Sequence, residues 1–146
     1  MPIFEIEIRH PHHASDHELE YTQVQSAEEV TAAFEGMHWF NLQVLLLQLQ
    51  GRQAYFMVSN AESGQSIKIS LNELADAESI EFKLESDIAV ISERKDLFGL
   101  LTRKSKDYVE FKHLNLTKAR ECLNLFIHEQ LDALKQQYLH YTAELA

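Results

Sequence analysis

The sequence predicts an α+β fold, an antiparallel β-sheet of about five to seven strands with a long C-terminal helix and a short N-terminal helix packed on it. Two observations predict this class. Short segments in which polar and apolar residues alternate recur as far as Phe111, as in half-buried strands. After Thr117 the apolar spacing changes to the 3.6-residue period of an amphipathic helix. Since 146 residues suffice for one sizeable core, we treat residues 1–146 as a single domain.

The N-terminal part of the chain predicts strands followed by a capped helix. Residues 3–8 alternate apolar side chains with glutamate, which is typical of a half-buried strand. Residues 18–24 are interpreted as a second strand. Ser26 and Glu29 have the spacing of a capping box, and apolar residues follow them at intervals of three and four. The sequence therefore predicts a helix over about 26–37.

The middle of the chain is predicted to form strands separated by polar turns. Residues 42–50 are apolar on both faces, and we interpret them as a central strand buried on both sides. A turn rich in Asn, Ser and Gly at 60–64 separates two of the following segments. Further strands are predicted at 54–58, 67–71, 80–84, 88–91 and 108–111.

The C-terminal third is predicted to be one long helix over 117–144. Its apolar residues form one stripe, and no Gly or Pro interrupts the chain after Leu114. We expect this stripe to be buried on one face of the sheet. The residues predicted to be buried there include Leu123, Phe126, Ile127, Leu131 and Leu134.

The formal charge is the most informative total. It is −10 with His neutral, and it is uneven: residues 1–93 contain 16 acidic and 4 basic residues, whereas residues 94–112 contain 3 acidic and 6 basic residues. A field of this sign repels nucleic acids and anionic membranes and attracts basic proteins. We therefore expect no nucleic-acid or membrane partner. Acidity that serves only solubility is the alternative explanation.

The sequence gives no sign of export. The single cysteine, Cys122, has no partner for an internal disulfide. The N-terminus lacks the basic start and the long apolar run of a signal peptide. The longest apolar run, residues 44–47, is too short to cross a bilayer. A cytoplasmic location is expected.

No catalytic or cofactor-binding motif is recognisable. Four histidines occur in residues 10–17, but their spacing matches no closed metal site, and a solvated loop is favoured. His128 and Glu129 begin like a zinc-protease helix, yet Asp132 stands where the second histidine ligand is required. Cys122 lies on the apolar stripe and is interpreted as a core residue. We predict a protein that is not an enzyme, with no catalytic residues, no metal and no cofactor.

An acidic run is the first candidate for contact with another protein. Lys83 is its single basic residue. It is interpreted either as a docking surface for a basic partner or as a solvated loop and strand face. The candidate residues are Glu73, Asp76, Glu78, Glu81, Glu85 and Asp87.

The second candidate is the segment 93–106, in which basic residues surround a short apolar group. It is interpreted either as a mobile hairpin tucked onto the core or as an exposed hairpin that pairs with another chain. In the second case a homodimer is expected. The candidate self-association residues are Phe98, Leu101, Arg103 and Lys104.

Four parts of the sequence carry a resemblance to a known family: SAEEV (26–30), LLLQL (45–49) followed by YFMV (55–58), LTKA (116–119) and LNLF (123–126). Over about residues 22–130, the order of elements resembles that of small immunity proteins from bacterial polymorphic toxin and contact-dependent growth inhibition systems. The resemblance implies a non-enzymatic protein that binds one cognate toxin, often a basic nuclease, and blocks its active site or its access to substrate. A self-associating structural or adaptor protein and a small-ligand-binding domain are the alternatives.

Overall fold

The computed structural model describes residues 3–13, 15–49, 52–72, 80–96 and 101–145. The strands are β1 (Phe4–Arg9), β2 (Glu20–Val24), β3 (Tyr55–Asn60), β4 (Ser66–Leu71), β5 (Phe82–Ser86), β6 (Ala89–Asp96), β7 (Leu101–Tyr108) and β8 (Phe111–Leu114). The helices are α1 (Ala27–Glu35), α2 (Trp39–Gln48), α3 (Leu116–Ile127) and α4 (Leu131–Leu145), with a short 3-10 turn at Asp16–Glu18. The predicted α+β class is confirmed.

Six strands form one antiparallel sheet in the order β2–β1–β3–β4–β5–β8, and β6 and β7 form a separate two-stranded sheet. Alternation along each strand sends every second side chain to the same face of the six-stranded sheet. One face joins residues from all four helices in a single core. The strand residues in this core include Phe4, Ile6, Phe56, Val58, Ile67, Ile69, Phe82 and Leu84.

Helix α1 begins as the sequence predicts. The side chain of Ser26 accepts a hydrogen bond from the backbone N–H of Glu29 at 3.2 Å, which satisfies one free donor of the first turn. Nε and Nη2 of Arg120 donate hydrogen bonds to the two carboxylate oxygens of Glu35, at 2.6 and 2.9 Å. This bidentate pair joins the end of α1 to α3.

The predicted central strand at residues 42–50 is wrong, because residues 42–48 belong to helix α2 and Leu49 ends that helix, while Gln50 lies outside the described residues. Trp39, Leu42, Gln43 and Leu46 are buried, and their spacing defines one face of a helix. The opposite face of α2 is also apolar. The segment therefore shows no helical period in its hydrophobicity, and it has the continuous apolar character of a buried strand.

The predicted single C-terminal helix is instead two helices, because the chain breaks between α3 and α4. Glu129 has a positive φ of 59°. Its N–H donates to the carbonyl of Phe126 at 3.1 Å, and the N–H of Gln130 donates to that of Leu125 at 2.8 Å, which is a Schellman helix end. The Glu129 carboxylate also accepts a hydrogen bond from the Asn60 side chain at 3.3 Å. This contact ties the break to the end of β3.

The burial predicted for the C-terminal stripe is largely confirmed. Leu123, Phe126, Ile127 and Leu134 are buried in the core. Leu131 is only partly buried, because it is the first residue of α4 and follows the break.

The predicted strand at 108–111 also differs from the structure. Tyr108 ends β7, and the last strand, β8, begins at Phe111. Residues 89–91 of the predicted strand at 88–91 lie in β6, which begins at Ala89 and continues to Asp96.

Candidate protein-binding surface

One side of helix α2 is apolar and exposed. Phe40, Val44 and Leu47 follow at the spacing i, i+4, i+7 and are 55%, 44% and 49% exposed. Leu49, the residue that ends the helix, is 38% exposed. Residues at this spacing are neighbours on a helix surface, so the side chains of Phe40, Val44 and Leu47 form one patch, which we call the α2 face. Apolar patches on a polar surface mark sites of protein contact.

The buried side of α2 fixes the position of this patch. The Trp39 ring packs edge-to-face on Phe82 with centroids 5.1 Å apart, and it lies 5.3 Å from Phe34. Phe34 in turn packs edge-to-face on Phe56. These aromatic contacts connect α2 to β5, α1 and β3. A surface held on a rigid helix loses less conformational entropy on binding than a loop does.

Helix α2 contains no Asp, Glu, Lys or Arg. An uncharged helix face on a chain of net charge −10 is a local exception to the composition of the molecule. The centres of protein interfaces are similarly depleted in charge and enriched in aromatic residues, while charged residues surround them. The α2 face has the character of such a centre.

The acidic run between Glu73 and Asp87, which we call the acidic segment, begins after β4 and continues into β5. The end of β4 and the start of β5 lie next to α2. The register pairs Leu71 with Phe82, the ring on which Trp39 packs. One residue further along each strand, the N–H of Asn72 donates to the carbonyl of Glu81 at 2.9 Å. The candidate residues between these two points, Glu73, Asp76 and Glu78, lie outside the described residues.

Two described acids of this segment have partners within the chain. A carboxylate oxygen of Glu81 lies 3.1 Å from Nδ1 of His113 and 3.3 Å from the side-chain nitrogen of Asn72. A carboxylate oxygen of Glu85 lies 3.7 Å from Nζ of Lys83. Both glutamate side chains remain nearly half exposed, so water screens these contacts and they add little stability.

Asp87 has a role in the fold. Its carboxylate accepts a hydrogen bond from the N–H of Ser66 at 2.8 Å, where β4 begins opposite the end of β5. This bond satisfies a backbone donor at the edge of the ladder. The described acids of the segment therefore do not form a row of unpaired carboxylates, and the sequence alone did not indicate these local partners.

The loop histidines pack against one another. The rings of His10, His12 and His13 have centroid separations of 4.7–5.4 Å, and Nδ1 of His13 accepts a hydrogen bond from the N–H of His10 at 3.1 Å. Burial, with the neighbouring His12 and His10, lowers the pKa of His13. Among the residues whose side chains are described, no group of three or more His, Cys, Asp or Glu is arranged to hold a metal ion.

Two further groups show how burial suppresses reactivity. Burial raises the pKa of the Cys122 thiol to about 12, so the thiol is protonated at neutral pH and is a poor nucleophile. Tyr55 is buried on the polar face of the sheet, where its hydroxyl donates to the Glu7 carboxylate at 2.5 Å. Burial and this hydrogen bond raise the pKa of Tyr55 to about 12. Lys68 lies over the same ring, 4.4 Å from its centroid.

A groove of about 580 Å³ lies between β8, α3 and α4. Phe111, Leu114, Cys122 and Tyr141 supply apolar lining, and His140 is among its polar residues. Its volume falls in the range of small-ligand sites. The protonated Cys122 thiol gives this groove no nucleophile of its own.

The candidate self-association residues lie in or next to β7. Leu101, Arg103 and Lys104 are in the strand itself, whereas Phe98 lies outside the described residues. The prediction of a hairpin here is confirmed at the level of the backbone, since β6 and β7 pair along their whole length.

No helix in the described ranges combines the length and the apolar character that a membrane span requires. No protein-family model, curated protein or solved structure matches this chain.

Proposed function

We propose that the protein is a non-enzymatic immunity protein, which binds a basic toxin domain through the α2 face and thereby neutralises it. The observation that supports this proposal is the exposed, uncharged α2 face on a chain of net charge −10. The two features act at different stages of one binding reaction.

The α2 face supplies affinity. A few well-placed apolar or aromatic side chains commonly dominate the binding energy of an interface, and the surrounding residues exclude water. Phe40 lies at one end of the α2 face, and Val44 and Leu47 extend the patch by two helical turns. Their burial under a partner would remove apolar surface from water, and the position of the helix is already fixed by Trp39 and Phe34.

The negative net charge of the chain favours a positively charged partner and increases the rate of association with it. Long-range attraction between opposite net charges raises association rates, and it is screened by salt. A nuclease-type toxin has a basic substrate groove, to which an acidic protein is complementary. Bound there, the protein would occupy the groove without catalysing any reaction.

The experiment is a kinetic one. The probe is the C-terminal domain of a large toxin-like protein encoded directly upstream of this chain's gene, immobilised for surface plasmon resonance. From low to physiological salt, we expect the association rate constant to fall by about tenfold or more, with little change in the dissociation rate constant. A tight complex whose association rate constant does not change with salt concentration would contradict the proposed role of electrostatic attraction in association. Absence of binding by a basic domain from that position would contradict the proposed function.

A further inference from the structure

Strands β6 and β7 form an arm that leaves the six-stranded sheet. Each strand has eight residues, and the register runs unbroken from Ala89 opposite Tyr108 to Asp96 opposite Leu101. Eight residues of strand span about 25 Å. Within the described chain, the extensive contacts of each arm strand are with the other arm strand. Buried Ile88, Val90 and Val109 anchor its base.

Both edges of this arm are unpaired in the described chain, because β6 and β7 form a sheet of only two strands. The N–H of Val109 donates to the carbonyl of Ile88 at 2.9 Å, immediately before the arm begins. Hydrogen-bonded pairs alternate along an antiparallel ladder, so the N–H groups of Ile91 and Lys106 point away from the partner strand. Ile91, on the β6 edge, is also 70% exposed.

An isolated two-stranded ribbon is marginally stable in water, and an unpaired edge is a template for another strand. We propose that the β6 edge pairs antiparallel with the β6 edge of a second copy of this chain, which gives a four-stranded sheet across a twofold axis. This inference concerns self-association and does not depend on the proposed toxin.

The charge order of β6 fits such a pairing. When the two strands are centred on Ser92, the outward N–H positions match, and residues 89–95 of β6 overlap. Ile91 then lies opposite Glu93 of the second copy, and Val90 lies opposite Arg94 of the second copy. No two like charges are opposite each other in this register. Like charges directly opposite destabilise a strand pair, so their absence permits association.

The charge order of β7 opposes the same pairing. Its sequence from residue 101 to 108 contains three basic residues and one acidic residue. In antiparallel pairing centred on residue 105, Lys104 lies opposite Lys106 of the second copy. In pairing centred on residue 104 or 106, the lysine at that position lies opposite the same lysine of the second copy. In pairing centred on residue 103, Arg103 lies opposite Arg103 of the second copy. Edge lysines of this kind are a common protection against strand addition. The self-association edge is therefore β6.

The arm and the α2 face lie at different ends of β5. Its first residue, Phe82, packs against Trp39 of α2, and its last, Ser86, donates a hydrogen bond to the Val109 carbonyl at the base of the arm. The proposed self-association edge and the α2 face are therefore formed by different residues of the chain.

The test is sedimentation velocity of the full chain over about a hundredfold range of concentration, enough to move a monomer–dimer equilibrium by about 2.7 kcal/mol. We expect the wild type to dimerise with increasing concentration. Ile91→Pro removes an outward N–H from the β6 edge and should leave a monomer. Lys106→Pro is the matched control, because Lys106 is opposite Ile91 in the arm, and it should still dimerise. Circular dichroism checks that both variants are folded.

A second pair of variants avoids proline. Ser92 and Ser105 are opposite each other in the arm, one on each edge. Ser92→Lys places two lysines opposite each other at the twofold axis and should raise the dimer dissociation constant by about two- to fivefold, whereas Ser105→Lys should not. A wild type that stays monomeric throughout, an Ile91→Pro variant that still dimerises, or equal effects of Ser92→Lys and Ser105→Lys would each overturn the proposal.

Discussion

Replacement of Phe126 by alanine should lower the free energy of unfolding by about 3–5 kcal/mol. Phe126 is 2% exposed and belongs to the core that joins α3 to the sheet. Its truncation removes apolar contacts and leaves a cavity that the neighbouring side chains cannot fill completely. Urea denaturation followed by circular dichroism measures the loss, provided that the slope of the transition is unchanged.

Phe40→Ala is the matched control for this measurement. It deletes the same atoms from a ring that is 55% exposed on α2. We expect its effect on the free energy of unfolding to be within about 1 kcal/mol, as is usual for surface substitutions. Equal losses for the two variants would contradict the assignment of Phe126 to the core and of Phe40 to the surface.

The second large effect concerns binding. Replacement of both Phe40 and Leu47 by aspartate should weaken the affinity for the toxin domain by about 100-fold or more, since the loss of interface anchors costs at least about 2 kcal/mol each. Both side chains project from the exposed side of α2, so the fold should be retained. Calorimetric titration of the variant into the toxin domain measures the change.

A control with the same change in charge separates contact from electrostatics. Tyr21→Asp with Ile3→Asp also adds two carboxylates in place of exposed large side chains, but on β2 and immediately before β1. We expect this control to bind the toxin domain with nearly the affinity of the wild type. A loss of affinity in the control that equals the loss in the α2 variant would show that added negative charge, and not the α2 face, determines the result.

The sheet was predictable because each strand carries its own period. In residues 3–8 and 67–71 apolar and polar side chains alternate, and the structure buries Phe4, Ile6, Ile67, Ile69 and Leu71 in the core. The helix cap at Ser26 was visible for a similar reason, since the bond from Glu29 joins residues three apart in the chain. Features decided by such local contacts can be read from one sequence.

The break at Glu129 could not be predicted in this way. A helix end with a non-glycine residue at positive φ is unfavourable on local grounds, and no Gly or Pro marks it. The Asn60 side chain supports Glu129 from the end of β3, 69 residues earlier in the chain. The helix end thus depends on a tertiary contact that sequence periodicity does not report.

The candidate binding surface was only partly accessible to sequence reasoning. The acidity of the chain follows from composition, but the partners of Glu81 and Asp87 depend on which strands lie side by side. The α2 face was missed because residues 42–50 were interpreted as a strand. Phe40, Val44 and Leu47 have helical spacing, but that spacing becomes informative only when the helix is known.

Site-specific photo-crosslinking tests the central claim most directly. A benzophenone amino acid replaces Phe40 in one variant and Tyr21, an exposed aromatic residue on the edge strand β2, in the other. Each variant is mixed with the toxin domain, irradiated and analysed by mass spectrometry. Binding through the α2 face predicts a covalent adduct from position 40 and none from position 21. An adduct from position 21 alone, or a stable complex with no adduct from position 40, would contradict the account.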